Sequence, residues 1–125
     1  MLIVGMWAAR LPGATRWLLP AVFVCFMAIG AALGEIALPL VEPMIALSVL
    51  VFGLAATLAK RLPVSIGGAV VALFALYHGH AHFTEMPDTS PAAFLAGMLL
   101  ATALLHLAGA LMFLWAARLR APSTA

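Results

Sequence analysis

Four long apolar stretches, separated by short polar breaks, govern what this chain can fold into. They run at about 17–38, 43–59, 64–82 and 91–117. A helix needs roughly 20 apolar residues, at about 1.5 Å rise each, to cross a hydrocarbon core. Every stretch approaches that length. Only 8% of the 125 residues are charged, and 66% are hydrophobic. A soluble domain carries about 25% charged residues, so water cannot be the solvent for this surface. The expected fold is an all-α, polytopic membrane helix bundle forming a single domain over 1–125. It has four transmembrane helices and an N-terminal partial helix.

The breaks carry their own chemistry. Pro12-Gly13 reads as a turn, Pro39 and Pro43 bracket a loop, Pro63 follows Lys60-Arg61, and Pro87 and Pro91 flank Asp88-Thr89-Ser90. Proline lacks the amide a helix interior needs but suits a first turn. Aspartate or serine before Pro91 could cap the last helix. Gly30 and Gly34 form a GxxxG face, and Gly97 with Ala101 repeats the spacing. Small residues at that spacing let helix backbones approach closely in lipid.

Charge alternates along the chain. Arg10 and Arg16, then Lys60 and Arg61, then Arg118 and Arg120 are separated by Glu35 and Glu42 and by Glu85 and Asp88. Basic loops stay in the cytoplasm. The C-terminus is therefore expected to be cytoplasmic, with the segment His78–Glu85 on the periplasmic side. Trp7, Trp17 and Trp115 fall near the inner ends of their stretches and Tyr77 near an outer one, as interfacial aromatics do. The pI near 9.3 is a topology signal and gives no reason to expect nucleic acid as a partner. Cys25 is the single cysteine, which excludes an intrachain disulfide and a thiolate metal cluster.

Residues 1–9 are apolar but cover only about 14 Å of a roughly 30 Å core. They lack the basic start and cleavage site of a signal peptide. They read as the inner half of a helix whose outer half is missing, through truncation, a misplaced start or a divergent short form.

Functional interest centres on His78-Gly79-His80-Ala81-His82-Phe83-Thr84-Glu85, which holds three of the four histidines. Ionisable groups are costly in a bilayer and mark substrate or ion paths. Imidazole and carboxylate suit nickel, cobalt, zinc and copper, and ligand type alone does not choose among them. His78 and His82, at i and i+4, share one helical face. Glu85 joins that stripe if the helix continues. His80 points roughly the other way, as a funnel ligand, a group behind the ligands or an incidental exposed residue. His106 lies about 22 Å below the outer end of its helix and His78 about 6 Å below its own. Straight helices would hold them apart, as successive stations on a path or with His106 simply bonded to a neighbouring helix. Glu42 opens a helix as a surface charge or a gate. Glu35 reads as water-facing, and the seven methionines as packing.

A haem held between His78 or His82 and His106 is the competing reading, opposed by that difference in depth. The third, a non-transporting membrane subunit, stays open. An intramembrane enzyme is not expected, because neither HExxH nor GxSxG occurs.

The same residues carry a family resemblance. Val4-Gly5-Met6-Trp7-Ala8-Ala9, Val41-Glu42 with Ile45–Leu50, Leu73–His82 with Glu85, and Leu100–Gly109 around His106 resemble successive segments of the HupE/UreJ proteins. The third resembles that family's HGxAHGxE pattern, with Phe83 where glycine is usual and His80 at a variable position. The upstream HPxxGxDH motif of the family has no counterpart in the chain, so the resemblance implies an incomplete metal path. It implies a bacterial inner-membrane permease for nickel or cobalt, associated with hydrogenase or urease. His78, His82, Glu85 and His106 would be its polar positions and Glu42 a further one. The ion would be cargo, with no tightly bound cofactor. The expected partners are the lipid bilayer and the divalent metal ion, with a homo-oligomer or a partner membrane subunit as further possibilities.

Overall fold

The computed structural model describes residues 1–58 and 62–120. These form five α-helices: α1 Leu2–Ala8, α2 Leu18–Ala32, α3 Val41–Thr57, α4 Val64–Thr84 and α5 Pro91–Arg120. A 3-10 turn, Gly13–Trp17, runs straight into α2. Three spans are long and apolar enough to cross a membrane: Gly13–Ala32 with 20 residues, Val64–Thr84 with 21 and Pro91–Arg120 with 30. At 17 residues α3 is also apolar but shorter, at about the lower limit for a span. The chain is thus the expected all-α membrane bundle with a short additional N-terminal helix.

The boundaries differ from expectation where local chemistry intervenes. The first long helix stops at Ala32 rather than near 38. Beyond it come Gly34 and Pro39, which favour turns, and Leu40 takes a left-handed conformation with φ 59°. The following helix starts at Val41, earlier than expected, because Pro43 fits its first turn. The last helix runs on to Arg120, placing Arg118 and Arg120 in its final turn, where they complement the helix dipole. The expected helix end at 59 and the Lys60-Arg61 loop lie outside the described residues.

Two parallel helix pairs form the frame. In the pair α2/α4, a Cβ on Gly30 would overlap the Leu76 carbonyl, and one on Gly79 would overlap the Met27 carbonyl. In the pair α1/α5 the same happens between Gly5 and the His106 carbonyl, and between Gly109 and the Leu2 carbonyl. No side chain fits at these four positions. Gly34, two residues beyond the end of α2, meets the Phe83 ring, so both glycines of the expected GxxxG pair abut α4. Gly97 has open space at its Cβ position, so the second small-residue face has no partner among the described residues.

The short α1 is among the best-buried elements. Val4, Gly5, Trp7 and Ala8 are buried, and Leu11 follows them into the core. Its contacts advance in step with α5, from Met1 near Met98 and Thr102 to Arg10 stacked over Phe113 at 5.4 Å. The Arg10 guanidinium also donates to the Ala56 carbonyl at 2.8 Å. It thereby satisfies one of the carbonyls that the last turn of α3 leaves unpaired. Phe23, Leu19 and Met27 of α2 pack at the centre with Val71 and Phe74 of α4 and Phe52 of α3. Outward-facing leucines are bare by contrast: Leu50 of α3 is 72% exposed and Leu111 of α5 56%. Surfaces of that kind are covered by hydrocarbon.

Candidate metal-handling site

The polar side chains of the site hang on this frame. Helix α4 ends at Thr84, and Glu85 closes it with an α-type backbone, its amide bonded to the His82 carbonyl. That geometry folds the Glu85 carboxylate back one turn, where Oε2 lies 3.1 Å from His82 Nδ1. Both side chains are accessible, His82 36% and Glu85 67%. They stand at the rim of a cavity of about 540 Å³ that runs past Phe94 and Met98 to Thr102 and Met1. At its inner end the Thr102 hydroxyl donates to the Met27 thioether at 3.4 Å.

His78 sits deeper and is half-buried. Its Nδ1–H donates to the Phe74 carbonyl at 2.9 Å, which leaves Nε2 with a free lone pair. Metal-binding histidines are commonly held in this way, one ring nitrogen donating to a carbonyl or carboxylate while the other faces the ion. His82, against Glu85, has the same arrangement. The Phe23 ring lies edge-on to His78 at 5.6 Å and edge-on to His106 at 5.0 Å. His106 is 2% exposed, and neither of its ring nitrogens has a hydrogen-bond partner among the described residues.

Three sequence expectations change. The stripe His78, His82, Glu85 does not close into one ligand set: among the described residues no group of three His, Cys, Asp or Glu side chains could hold an ion. The helix brings His82 and Glu85 together and turns His78 inward. His78 and His106 are not held far apart. Both pack edge-on against the Phe23 ring, which stands between them at 5.6 Å from His78 and 5.0 Å from His106. His80 is not an exposed group. It is 6% exposed, and its Nε2–H donates to the Ile36 carbonyl at 2.8 Å, tying α4 to the loop after α2. Glu42 is exposed in the first turn of α3, away from the histidines. A planar macrocycle could not be placed between His78 and His106 without displacing Phe23.

Sequence reasoning missed Phe23 and Thr102. No pattern announces Phe23. Thr102 stands four residues before His106, on one face of α5, and that spacing was available.

The HupE / UreJ protein family matches residues 1–125. The chain belongs to the HupE/UreJ family. Over 112 residues it is 44% identical to Protein HupE of Rhizobium leguminosarum bv. viciae, covering 87% of this chain and 59% of that protein. The chain thus spans well under two thirds of this curated relative's length. No solved structure matches it.

Proposed function

We propose that this HupE/UreJ membrane protein is a permease, or the metal-conducting component of one, for a divalent transition metal, nickel or cobalt. It would work in the bacterial inner membrane and supply maturation of hydrogenase or urease. The observation that carries this reading is the succession of metal-capable groups from the surface inward. Glu85 and His82 stand at a cavity mouth, His78 is oriented by the Phe74 carbonyl, and His106 lies unpartnered beyond the shared Phe23. An ion moving between weak, incomplete sites is bound well enough to enter and loosely enough to leave. The small ligand number at each station favours broad selectivity among divalent ions.

Uptake of radioactive nickel by cells producing the protein tests this. Wild-type protein should raise accumulation, and His82→Ala and Glu85→Ala should return it to the background of empty cells. Uptake unchanged in both variants would refute the proposed mouth.

A further inference from the structure

A second cavity has His106 in its lining. It is a groove of about 590 Å³ between the 3-10 turn with α2 on one wall and α5 on the other. Its lining is apolar, with Ala21, Leu107 and Leu111 along the walls and the buried residue His106 among them. Arg16 and Trp17 stand at one end. Trp17 is 61% exposed, as an aromatic at a headgroup boundary would be. Arg16 is fixed by its Nε–H donating to the Gly13 carbonyl at 3.0 Å, and its terminal nitrogens have no protein partner among the described residues. Leu107, Leu111 and Leu114 follow the groove down α5. Arg118 falls one turn beyond Leu114 on the same face by the helical period.

No aspartate or glutamate side chain of the protein lies at this mouth. The chain has four acidic residues, Glu35, Glu42, Glu85 and Asp88. All lie on loops or helix ends at the opposite end of the bundle from the 3-10 turn and the last turn of α5. A second copy inserted in the same orientation would bring its own Arg16 and Arg118 to this depth and no aspartate or glutamate. A basic mouth on an apolar groove inside a bilayer matches one class of molecule. We infer that the groove between α2 and α5 is a binding site for one anionic glycerophospholipid. One acyl chain would lie against Ala21, Leu107 and Leu111, and the phosphate against Arg16 and Arg118.

The test uses the intact protein in vesicles, with Trp7→Phe and Trp115→Phe leaving Trp17 as the only tryptophan. Phosphatidylglycerol or phosphatidylcholine carrying brominated acyl chains is added in increasing proportion, and Trp17 fluorescence is followed. Brominated phosphatidylglycerol should quench at several-fold lower mole fraction. Arg16→Gln and Arg118→Gln should each remove roughly fivefold of that preference, the scale expected for one basic residue near a membrane phosphate. Ala21→Phe, which fills the groove without touching charge, should reduce quenching by both lipids. Circular dichroism establishes that each variant remains helical. Equal quenching by both lipids, a preference insensitive to the two arginine changes, or occlusion of Trp17 by a second copy as protein density rises would each overturn the assignment.

Discussion

Gly79 of α4 rests directly on the Met27 carbonyl of α2; a Cβ there would overlap the oxygen and come within 2.8 Å of the Ala31 amide nitrogen. The reciprocal contact, Gly30 on Leu76, lies three residues along each helix. The pair α1/α5 repeats the device with Gly5 on His106 and Gly109 on Leu2. Two such contacts fix both the separation and the register of a parallel pair. In α2/α4 that register sets His80 opposite Ile36 and His78 against Phe23. In α1/α5 it presses the backbone of His106 onto Gly5 and leaves the imidazole pointing at Phe23.

Alanine at Gly79 or Gly109 should therefore destabilise the bundle by about 2 kcal/mol or more, because the obstructing atom is backbone and cannot rotate away. Gly97→Ala has open space around it and should be neutral or stabilising by up to about 1 kcal/mol through helix propensity. Unfolding in mixed micelles, followed by circular dichroism, compares the three. Equal effects at Gly79 and Gly97 would mean that the close approach does not hold the pair together.

His80 and His82 should separate stability from metal binding. His80→Ala removes the hydrogen bond that ties α4 to the exposed Ile36 carbonyl and should cost about 0.5–1.5 kcal/mol of stability, while the folded fraction binds nickel as the wild type does. His82→Ala removes an accessible imidazole and should weaken nickel binding with little change in stability. Calorimetric titration with nickel and an unfolding curve on each variant give both quantities. Nickel affinity lost chiefly in His80→Ala would reverse the assignment.

The apolar stretches told most of the fold because hydrocarbon thickness leaves few other choices for them. Their ends were less legible. Nothing in the run through residue 38 says that helix α2 yields at Ala32 to a turn at Gly34, since the decision rests on how the loop then bonds to His80. The site was legible as residue types. His78, His82 and Glu85 could be placed on one helical face by spacing, but the pairing of His82 with Glu85 depends on α4 ending at Thr84. That His78 and His106 both pack on Phe23 depends on how α2, α4 and α5 meet. The first is a property of where one helix stops, the second of packing between helices distant in sequence.

The orientation inferred from charge can be checked at two exposed residues. Thr15 lies in the basic 3-10 turn and Thr89 in the acidic loop before α5. In a Cys25→Ala background, Thr89→Cys should react with a membrane-impermeant maleimide in cells whose outer membrane has been permeabilised. Thr15→Cys should react only after lysis. Labelling of both from the same side would overturn the topology and with it the periplasmic mouth at His82.

His106 offers the sharpest test of whether the inner end of the path is functional. Its two ring nitrogens are buried without partners among the described residues, its ring packs edge-on against Phe23, and its backbone carbonyl abuts Gly5. An unpaired buried polar group costs about 1–3 kcal/mol relative to a satisfied one. A residue kept only for packing would be better served by an apolar side chain of similar size. His106→Leu should then hold or raise the unfolding free energy, by about 1–2 kcal/mol if the lost polarity dominates over shape. If His106 is a station for the ion, the same variant should abolish nickel uptake while surface expression and helicity remain. A His106→Leu protein that is more stable and transports as fast as the wild type would remove His106 from the path. One that unfolds would mean the imidazole bonds to something within the bundle after all.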